Sequence, residues 1–394
     1  MKTVLSERAA RLQPSPTLAV TARAAALKAE GKDIIGLGAG EPDFDTPEHI
    51  KEAAIRAMRA GQTKYTAVEG TLSLRKAIVE KFKRDNGLTY TPAQILVSSG
   101  GKQSFFNLCQ AVVDPGDEVI VPAPYWVSYP EIVAVAGGVP VIPYAGPEQH
   151  YKLTPEQLEQ HITKRTKLVV INSPSNPTGM AYRRAELLAL GEVLRKHPQV
   201  LIATDDMYEP FLWTGEPFAN ILMLCPDLYE RTLVLNGCSK AYAMTGWRVG
   251  YVAAPAAILE GIVKVHQYGI MSAPTVAQDA ALAALTGGEP HVQAMVAEYD
   301  RRRRLLVDGL NRIGLPTFEP RGAFYAFPKI SSTGLSSEEF TERLLREEKV
   351  AVVPGDAFGP SGAGHVRMCY ATSYEQLEEA LRRIERFVTR VRAA

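Results

Sequence analysis

Short, continuously apolar segments alternate with helical patterns between residues 90 and 255, and this alternation limits the fold more than any other feature. The segments lack the polar alternation of a strand with one face in water, so both of their faces are expected to be covered. Strands that alternate with helices favour an α/β fold with a mostly parallel central sheet between helical layers. Ligands of such sheets bind beyond the carboxyl ends of the strands. The predicted strands are 95–97, 119–121, 139–142, 168–171, 200–203 and 232–235, with helices at 105–113 and 185–196.

The pattern changes after residue 295, where longer charged helices are separated by short strands. Helices are predicted at 298–312, 338–348 and 373–390, and strands at 351–353 and 366–370. This favours a second, smaller α+β domain. We therefore expect a large domain at 46–295, a small domain at 296–394, and an N-terminal segment, 1–45, that packs with the small domain. The run Arg301–Arg304 is interpreted as a solvated helix face.

Composition and charge argue against several classes of partner. The net charge is only +1, so the chain has no strong field for nucleic acid or an anionic membrane. It contains no apolar run of the ~18 residues that a membrane helix needs. The N-terminal residues lack the apolar core of a signal peptide. The four cysteines are far apart, which gives no metal-ligand motif and fits a reducing compartment. We expect a cytoplasmic protein without a bound metal.

A lysine that directly follows a buried strand is the first candidate for chemistry. An isolated lysine here would ordinarily extend its amine to solvent, because burying an ammonium costs several kcal/mol. Lys240, however, adjoins Ser239 and is soon followed by Arg248. A hydroxyl and a guanidinium could together bind a phosphate beside the amine.

Three other motifs lie where predicted strands end. Gly100, Gly101 and Lys102 open a helix, where backbone N–H groups favour an anion. Asn176 lies in a Pro/Asn turn that would otherwise be ordinary loop chemistry. Asp205 and Asp206 end another strand, and either could simply cap the next helix. Successive side chains of a strand alternate, so only one of the two acids should face a ligand.

The segment Ser-Lys-(x)5-Gly-Trp-Arg-x-Gly-Tyr, residues 239–251, resembles the cofactor-lysine signature of class I/II aminotransferases. That family has the pyridoxal-phosphate (PLP) transferase fold type I. The resemblance implies that Lys240 is catalytic and holds PLP as a Schiff base. It also implies roles for other residues: Arg248 and Ser239 at the phosphate with backbone donors from Gly101 and Lys102, Asn176 and Tyr208 at the phenolic oxygen, Asp205 at the pyridine nitrogen, and Trp126 against the ring.

Further matches concern the substrate and a second subunit. The Gly-Glu-Pro-Asp-Phe stretch implies that the Gly40 backbone touches the substrate, and Arg367 matches the arginine that binds its α-carboxylate. Trp126 and Asn176 would also contact the substrate. Tyr65 and Ser272 resemble residues that reach the phosphate across a dimer interface. The resemblance therefore implies a homodimer with shared active sites whose small-molecule substrates are amino acids and 2-oxo acids.

The similarity is greatest to the bacterial aspartate aminotransferases, which implies transfer from aspartate to 2-oxoglutarate. Residues 266–272 contain no arginine for a second carboxylate, and we assign that contact to Lys102. An aromatic or prephenate type, or a broad-specificity aminotransferase, remains an alternative. Gln13 stands where prephenate-accepting relatives tend to carry lysine, which weakens that alternative. A PLP-dependent β-lyase would use the same Lys240, Asp205 and Arg367.

Overall fold

A computed structural model describes residues 4–393 of the chain. In this range no helix has both the length and the hydrophobicity to cross a bilayer. The helices of the described range are α1 Glu7–Arg11, α2 Pro16–Ala29, α3 Glu48–Arg59, α4 Leu72–Lys81, α5 Gly101–Val112, α6 Ser128–Ala136, α7 Pro155–His161, α8 Arg184–Arg195, α9 Ile221–Leu224, α10 Ala256–Gly269, α11 Thr275–Gly287, α12 Glu289–Ile313, α13 Ser337–Glu348 and α14 Tyr374–Ala393. The strands of the same range are β1 Ile35–Gly36, β2 Ile95–Ser98, β3 Glu118–Ile120, β4 Val139–Val141, β5 Thr166–Asn172, β6 Leu201–Asp205, β7 Thr232–Gly237, β8 Gly250–Ala253, β9 Tyr325–Ala326, β10 Val350–Ala351, β11 Val353–Pro354 and β12 Val366–Cys369.

The central element is a seven-stranded sheet with the order β2-β8-β7-β6-β5-β3-β4. Strands β3 to β7 pair in parallel, and β8 runs antiparallel to both of its neighbours. All six strands predicted from the apolar segments belong to this sheet, with ends that differ by one or two residues. The prediction of a mostly parallel sheet between helices is confirmed.

Both faces of this sheet are covered, and β5 shows how. Leu168 and Val170 pack into the cluster formed with α5, α6 and α10, whereas Val169 and Ile171 pack into the cluster formed with α8. Alternate side chains of a strand point to opposite faces, so an unbroken apolar run fills two cores at once. This requirement is why the strand carries no polar alternation.

The C-terminal residues form a second layered unit around a small antiparallel sheet of order β11-β12-β9. Helices α12, α13 and α14 contribute to its core cluster. The N-terminal segment joins this unit where β1 pairs in parallel with β10. Earlier in the chain, the Gln13 backbone N–H donates to Glu131 of α6, beside the large sheet. The N-terminal segment therefore contacts both groups of elements, and the domain boundaries given above stay a prediction.

The interpretation of Arg301–Arg304 as a solvated helix face is wrong for two of the four residues. Arg302 and Arg303 are only 6% and 5% exposed. Arg302 donates to Asp43 and Glu298, and Arg303 donates to Asp300 and Glu319. Paired guanidinium groups can be buried because their charge and donors are satisfied. Arg301 and Arg304 remain exposed on the outer face of α12.

Candidate active site

A cavity of about 320 Å³ lies at the carboxyl ends of β5 and β6, between the large sheet and the C-terminal unit. Every site residue predicted from the sequence except Tyr65 and Ser272 lines it. These residues are Gly40, Gly101, Lys102, Trp126, Asn176, Asp205, Tyr208, Ser239, Lys240, Arg248 and Arg367. Tyr65 is 85% exposed and lies outside the cavity, and Ser272 is not among the lining residues.

Lys240 follows β7 and points its amine into this cavity. Its Nζ donates to the carbonyl oxygen of Gly40 at 2.6 Å. Burial lowers the pKa of Lys240 to about 8 because the charged form loses its hydration. With this pKa roughly a tenth of the amine is uncharged at pH 7, several hundred times the fraction in an ordinary lysine, and the uncharged form is the nucleophile.

The start of α5 forms a glycine-lined concavity near Arg248. Gly100 has a positive φ of 83°, and a Cβ on it would lie 2.4 Å from Nη2 of Arg248. A Cβ on Gly250 would lie 2.4 Å from the backbone nitrogen of Gly101. The glycines therefore allow the arginine and the adjacent strand to approach the helix N-terminus. Free N–H groups there, together with a guanidinium, form a site suited to a phosphate.

Asp205 and Asp206 face opposite sides of the end of β6, as the strand alternation predicts. Asp205 lines the cavity, where its Oδ2 accepts from the Tyr129 hydroxyl at 2.5 Å and its Oδ1 accepts from the Met207 N–H at 3.2 Å. Burial raises the pKa of Asp205, and the hydrogen bond from Tyr129 opposes this rise.

Asp206 points away from the cavity into the protein. It accepts from the Thr204 hydroxyl at 2.7 Å and from the Asn220 amide at 2.6 Å, and it is 1% exposed. Burial and the nearby Glu209 raise the pKa of Asp206 to about 7. Its partners are all structural, so Asp205 is the acid available to a ligand.

Arg367 lies on β12 and reaches the cavity from the C-terminal unit. Its Nη1 donates to Oδ1 of Asn176 at 2.8 Å and its Nη2 donates to the carbonyl of Gly38 at 2.6 Å. Its Nε is buried and has no partner among residues 4–393. A buried guanidinium held only by neutral acceptors is suited to a carboxylate, which it can bind with two parallel hydrogen bonds.

Lys102 and Trp126 form one wall of the cavity. The Lys102 amine lies 5.3 Å from the centroid of the Trp126 ring, within range of a cation–π contact. Burial, and secondly the charge of Arg248, lowers the pKa of Lys102. Trp126 in turn packs edge-on against Tyr129.

Several lining residues were missed by the sequence reasoning. Tyr129 lies in the first turn of α6, where its backbone N–H donates to the carbonyl of Trp126, so its closeness to the predicted Trp126 could have indicated it. Tyr325 gave no local signal, because only the pairing of β9 with β12 brings it to the cavity. The other missed residues include Ser15, Thr17, Leu18 and Thr21 of the N-terminal segment.

The charges of the cavity fit the phosphate-bearing cofactor that the sequence implies. Four cationic residues line it: Lys102, Lys240, Arg248 and Arg367. Within residues 4–393 none of them has a carboxylate partner at ion-pair distance, and Asp205 is the one acidic lining residue. This excess of unpaired positive charge suits a ligand set with a phosphate and carboxylates.

A family model described as "Aminotransferase class I and II" matches residues 32–384. The chain belongs to the class I and II aminotransferases. An aspartate/prephenate aminotransferase from Nitrosomonas europaea is 54% identical over 96% of this chain and 98% of its own length. An aspartate aminotransferase from Geobacillus stearothermophilus is 47% identical, with 98% of each chain covered.

Solved structures of aminotransferases share the whole architecture. The aspartate aminotransferase from Thermus thermophilus with maleate superposes with a TM-score of 0.93 at 47% identity, over 97% of this chain and 99% of that one. This aminotransferase therefore has the PLP-transferase fold type I, as predicted. It is a PLP-dependent enzyme of the aspartate aminotransferase-like kind.

Proposed function

We propose that this aminotransferase transfers the amino group of aspartate to 2-oxoglutarate, giving oxaloacetate and glutamate in a ping-pong reaction. The observation that carries the proposal is the placement of Lys240 and Arg367 in one cavity. Lys240 provides an amine whose pKa is about 8, and Arg367 provides a buried guanidinium with a free donor. The aspartate aminotransferases among its relatives support the choice of amino acid.

The residues that would hold PLP surround Lys240. Arg248, Ser239 and the backbone N–H groups of Gly101 and Lys102 would bind the phosphate. Asn176 and Tyr208 would bind the phenolic oxygen, Asp205 the pyridine nitrogen, and Trp126 the ring face. When bound, PLP supplies an aldehyde that bonds to amines and a protonated ring that accepts the electron pair released at the substrate Cα. The negative Asp205 would keep that ring protonated.

The substrate would lie between Lys240 and Arg367. Arg367 would bind its α-carboxylate, with contacts from Gly40, Asn176 and Trp126. Lys102, at the cavity wall, would bind the second carboxylate of aspartate or glutamate. Once the incoming amino acid has displaced it, Lys240 would be the base that takes the proton from Cα, since its amine lies in the cavity and its pKa is lowered to about 8.

A half-reaction screen tests this proposal. The PLP-loaded protein is mixed with one amino acid at a time, and conversion of the cofactor to its amine form is followed by absorbance. Aspartate and glutamate should convert it, and oxaloacetate or 2-oxoglutarate should restore it. Failure of both acidic amino acids alongside conversion by neutral ones would contradict the proposed specificity. Release of pyruvate and thiol from cystathionine, with no amino transfer, would instead identify a β-lyase.

Amination of prephenate is a second candidate, because the relative with 54% identity is named an aspartate/prephenate aminotransferase. Gln13 is the residue to test, since lysine tends to occupy this position in prephenate-accepting relatives. Wild-type protein and Gln13→Lys should be compared with prephenate and 2-oxoglutarate as acceptors. If Gln13→Lys raises the activity with prephenate but not with 2-oxoglutarate, then Gln13 limits the use of prephenate. The wild-type chain would in that case prefer 2-oxoglutarate.

We further propose a homodimer in the cytoplasm. Tyr65 is 85% exposed and Tyr268 is 88% exposed, and large aromatic side chains this open to solvent are typical of a surface that another protein covers. In a dimer, Tyr65 would reach the phosphate site of the second subunit, with Ser272 beside it.

A further inference from the structure

Tyr325 contacts two residues that have separate roles in the proposed function, Tyr208 and Arg367. Its hydroxyl lies 2.7 Å from the hydroxyl of Tyr208. Its ring lies under the Arg367 guanidinium, with 4.7 Å between the guanidinium carbon and the ring centroid. Tyr325 is fully buried and lines the cavity. One side chain therefore contacts both the proposed partner of the cofactor oxygen and the proposed binder of the α-carboxylate.

The strand pairing explains this position. Tyr325 on β9 is opposite Cys369 on β12, and Arg367 is two residues from Cys369 on the same face. Side chains diagonal to each other across an antiparallel pair are within reach when they are long or aromatic. The neighbouring Gly40 shows how closely the ring is enclosed, because a Cβ there would lie 2.7 Å from the Tyr325 hydroxyl. The ring can move little within this enclosure.

The direction of the hydrogen bond between the two tyrosines follows from the proposed role of Tyr208. Burial raises the pKa of both hydroxyls. The charge of Arg367 opposes this rise at both of them. Either hydroxyl could donate across the 2.7 Å contact, but each has only one proton, so if Tyr208 gives its proton to the phenolic oxygen of PLP, Tyr325 must donate in the bond between the tyrosines. The proton of Tyr208 is then left for a ligand in the cavity.

We propose that Tyr325 is a positioning residue that directs the Tyr208 hydroxyl proton into the cavity and holds the Arg367 guanidinium against its ring. The inference rests on the proposed contact of Tyr208 with the phenolic oxygen of PLP. A hydrogen bond that Tyr208 accepts makes it a stronger donor in turn, because chained hydrogen bonds polarise each other. Tyr325 thus lowers the basicity of the phenolic oxygen of the cofactor indirectly, through Tyr208.

Tyr325→Phe tests the first half of the proposal, because it removes the hydroxyl and keeps the ring. The absorbance of the PLP-loaded resting enzyme is titrated with pH. Weaker donation by Tyr208 leaves the phenolic oxygen more basic, so the apparent pKa of the absorbance change should rise by roughly 0.2 to 0.6 of a pH unit. Tyr370→Phe is the matched control, since Tyr370 is also fully buried but its hydroxyl donates to the Ala323 carbonyl. This control should not shift the titration.

A double variant decides whether Tyr325 acts through Tyr208. In the Tyr208→Phe background, Tyr325→Phe should cause no further shift of the absorbance titration. Equal shifts in both backgrounds, or no shift in the single variant, would overturn the inference. Wild-type protein that fails to bind PLP or to convert aspartate would refute the proposed function instead. The two failures are therefore distinguishable.

Tyr325→Leu tests the contact with Arg367, because it removes the aromatic face. KM for aspartate should rise roughly 3- to 30-fold in this variant, the size of a desolvated cation–π contact. In Tyr325→Phe, KM should stay within about twofold, since a phenyl ring retains the contact. Equal KM increases in both variants would show that the ring does not hold Arg367. If Tyr325→Leu does not fold, the titrations of Tyr325→Phe still decide the first half.

Discussion

Two adjacent aspartates show how strongly a single residue's surroundings determine its chemistry. Asp205 lines the cavity and accepts from Tyr129, whereas Asp206 is enclosed by Thr204 and Asn220. The two carboxyl groups therefore differ in what they can bind, although the chain places them side by side. Their separate effects can be measured because one substitution should affect catalysis and the other stability.

Asp205→Ala should lose kcat/KM by at least 10- to 150-fold, because a charge-assisted hydrogen bond of about 1.5–3 kcal/mol is removed. Loss of ring protonation should add to this. Asp206→Ala should instead destabilise the fold by about 1–3 kcal/mol, since it leaves the buried Thr204 and Asn220 donors without an acceptor. Half-reaction rates and urea unfolding of both variants check this. A greater catalytic loss in Asp206→Ala would reverse the assignment.

The proposed preference for dicarboxylates depends on Lys102. Lys102→Ala should lower kcat/KM for aspartate roughly 10-fold, the low end for a charged hydrogen bond, because Lys102 is exposed and its contact is partly screened. Alanine, which has no second carboxylate, is the matched control substrate and should be almost unaffected. Equal losses for aspartate and alanine would show that Lys102 serves the cofactor or the fold.

At the scale of elements, the sequence predicted the strands and the residues at their ends better than it predicted the helices of the C-terminal unit. Unbroken apolar runs such as 168–171 have few alternatives to a buried strand, and the ligand-binding edge follows from the parallel sheet. Helix α12 begins at Glu289, well before the predicted residue 298, because its first turns carry mixed residues. Tyr325 reaches the cavity only through the pairing of β9 with β12, which no local pattern encodes.

The burial of Arg302 on α12 allows a test at this scale. Arg302 donates to both carboxylate oxygens of Asp43 at 2.8 Å and to Glu298. Arg302→Ala should lower the free energy of unfolding by about 2–3 kcal/mol, less than a wholly buried pair would lose because Asp43 keeps some exposure. Arg304→Ala is the matched control: Arg304 is exposed and pairs with Asp300, so its loss should change stability by about 0.5 kcal/mol or less. Equal effects in urea unfolding would contradict the role given to Arg302.

At the scale of the whole molecule, Tyr65 is open to solvent in the single chain, although the resemblance assigns it to a phosphate site. The proposed dimer with shared sites would place Tyr65 at the phosphate site of the second subunit. Mixed Tyr65→Ala and Lys240→Ala subunits should form hybrid dimers with one intact site, restoring about a quarter of wild-type activity after random reassortment. The mixture should sediment as a dimer. Activity no higher than the sum of the separate variants would contradict shared sites.

The proposed function depends first on Lys240, which would hold PLP as a Schiff base and give it up to an incoming amino acid. The most direct test is peptide mass analysis of the PLP-loaded protein after borohydride reduction. Without substrate, a PLP adduct should be found on Lys240. Prior incubation with aspartate should abolish this adduct, and later addition of 2-oxoglutarate should restore it. An adduct on another lysine, or one on Lys240 that persists in excess aspartate, would contradict this role of Lys240.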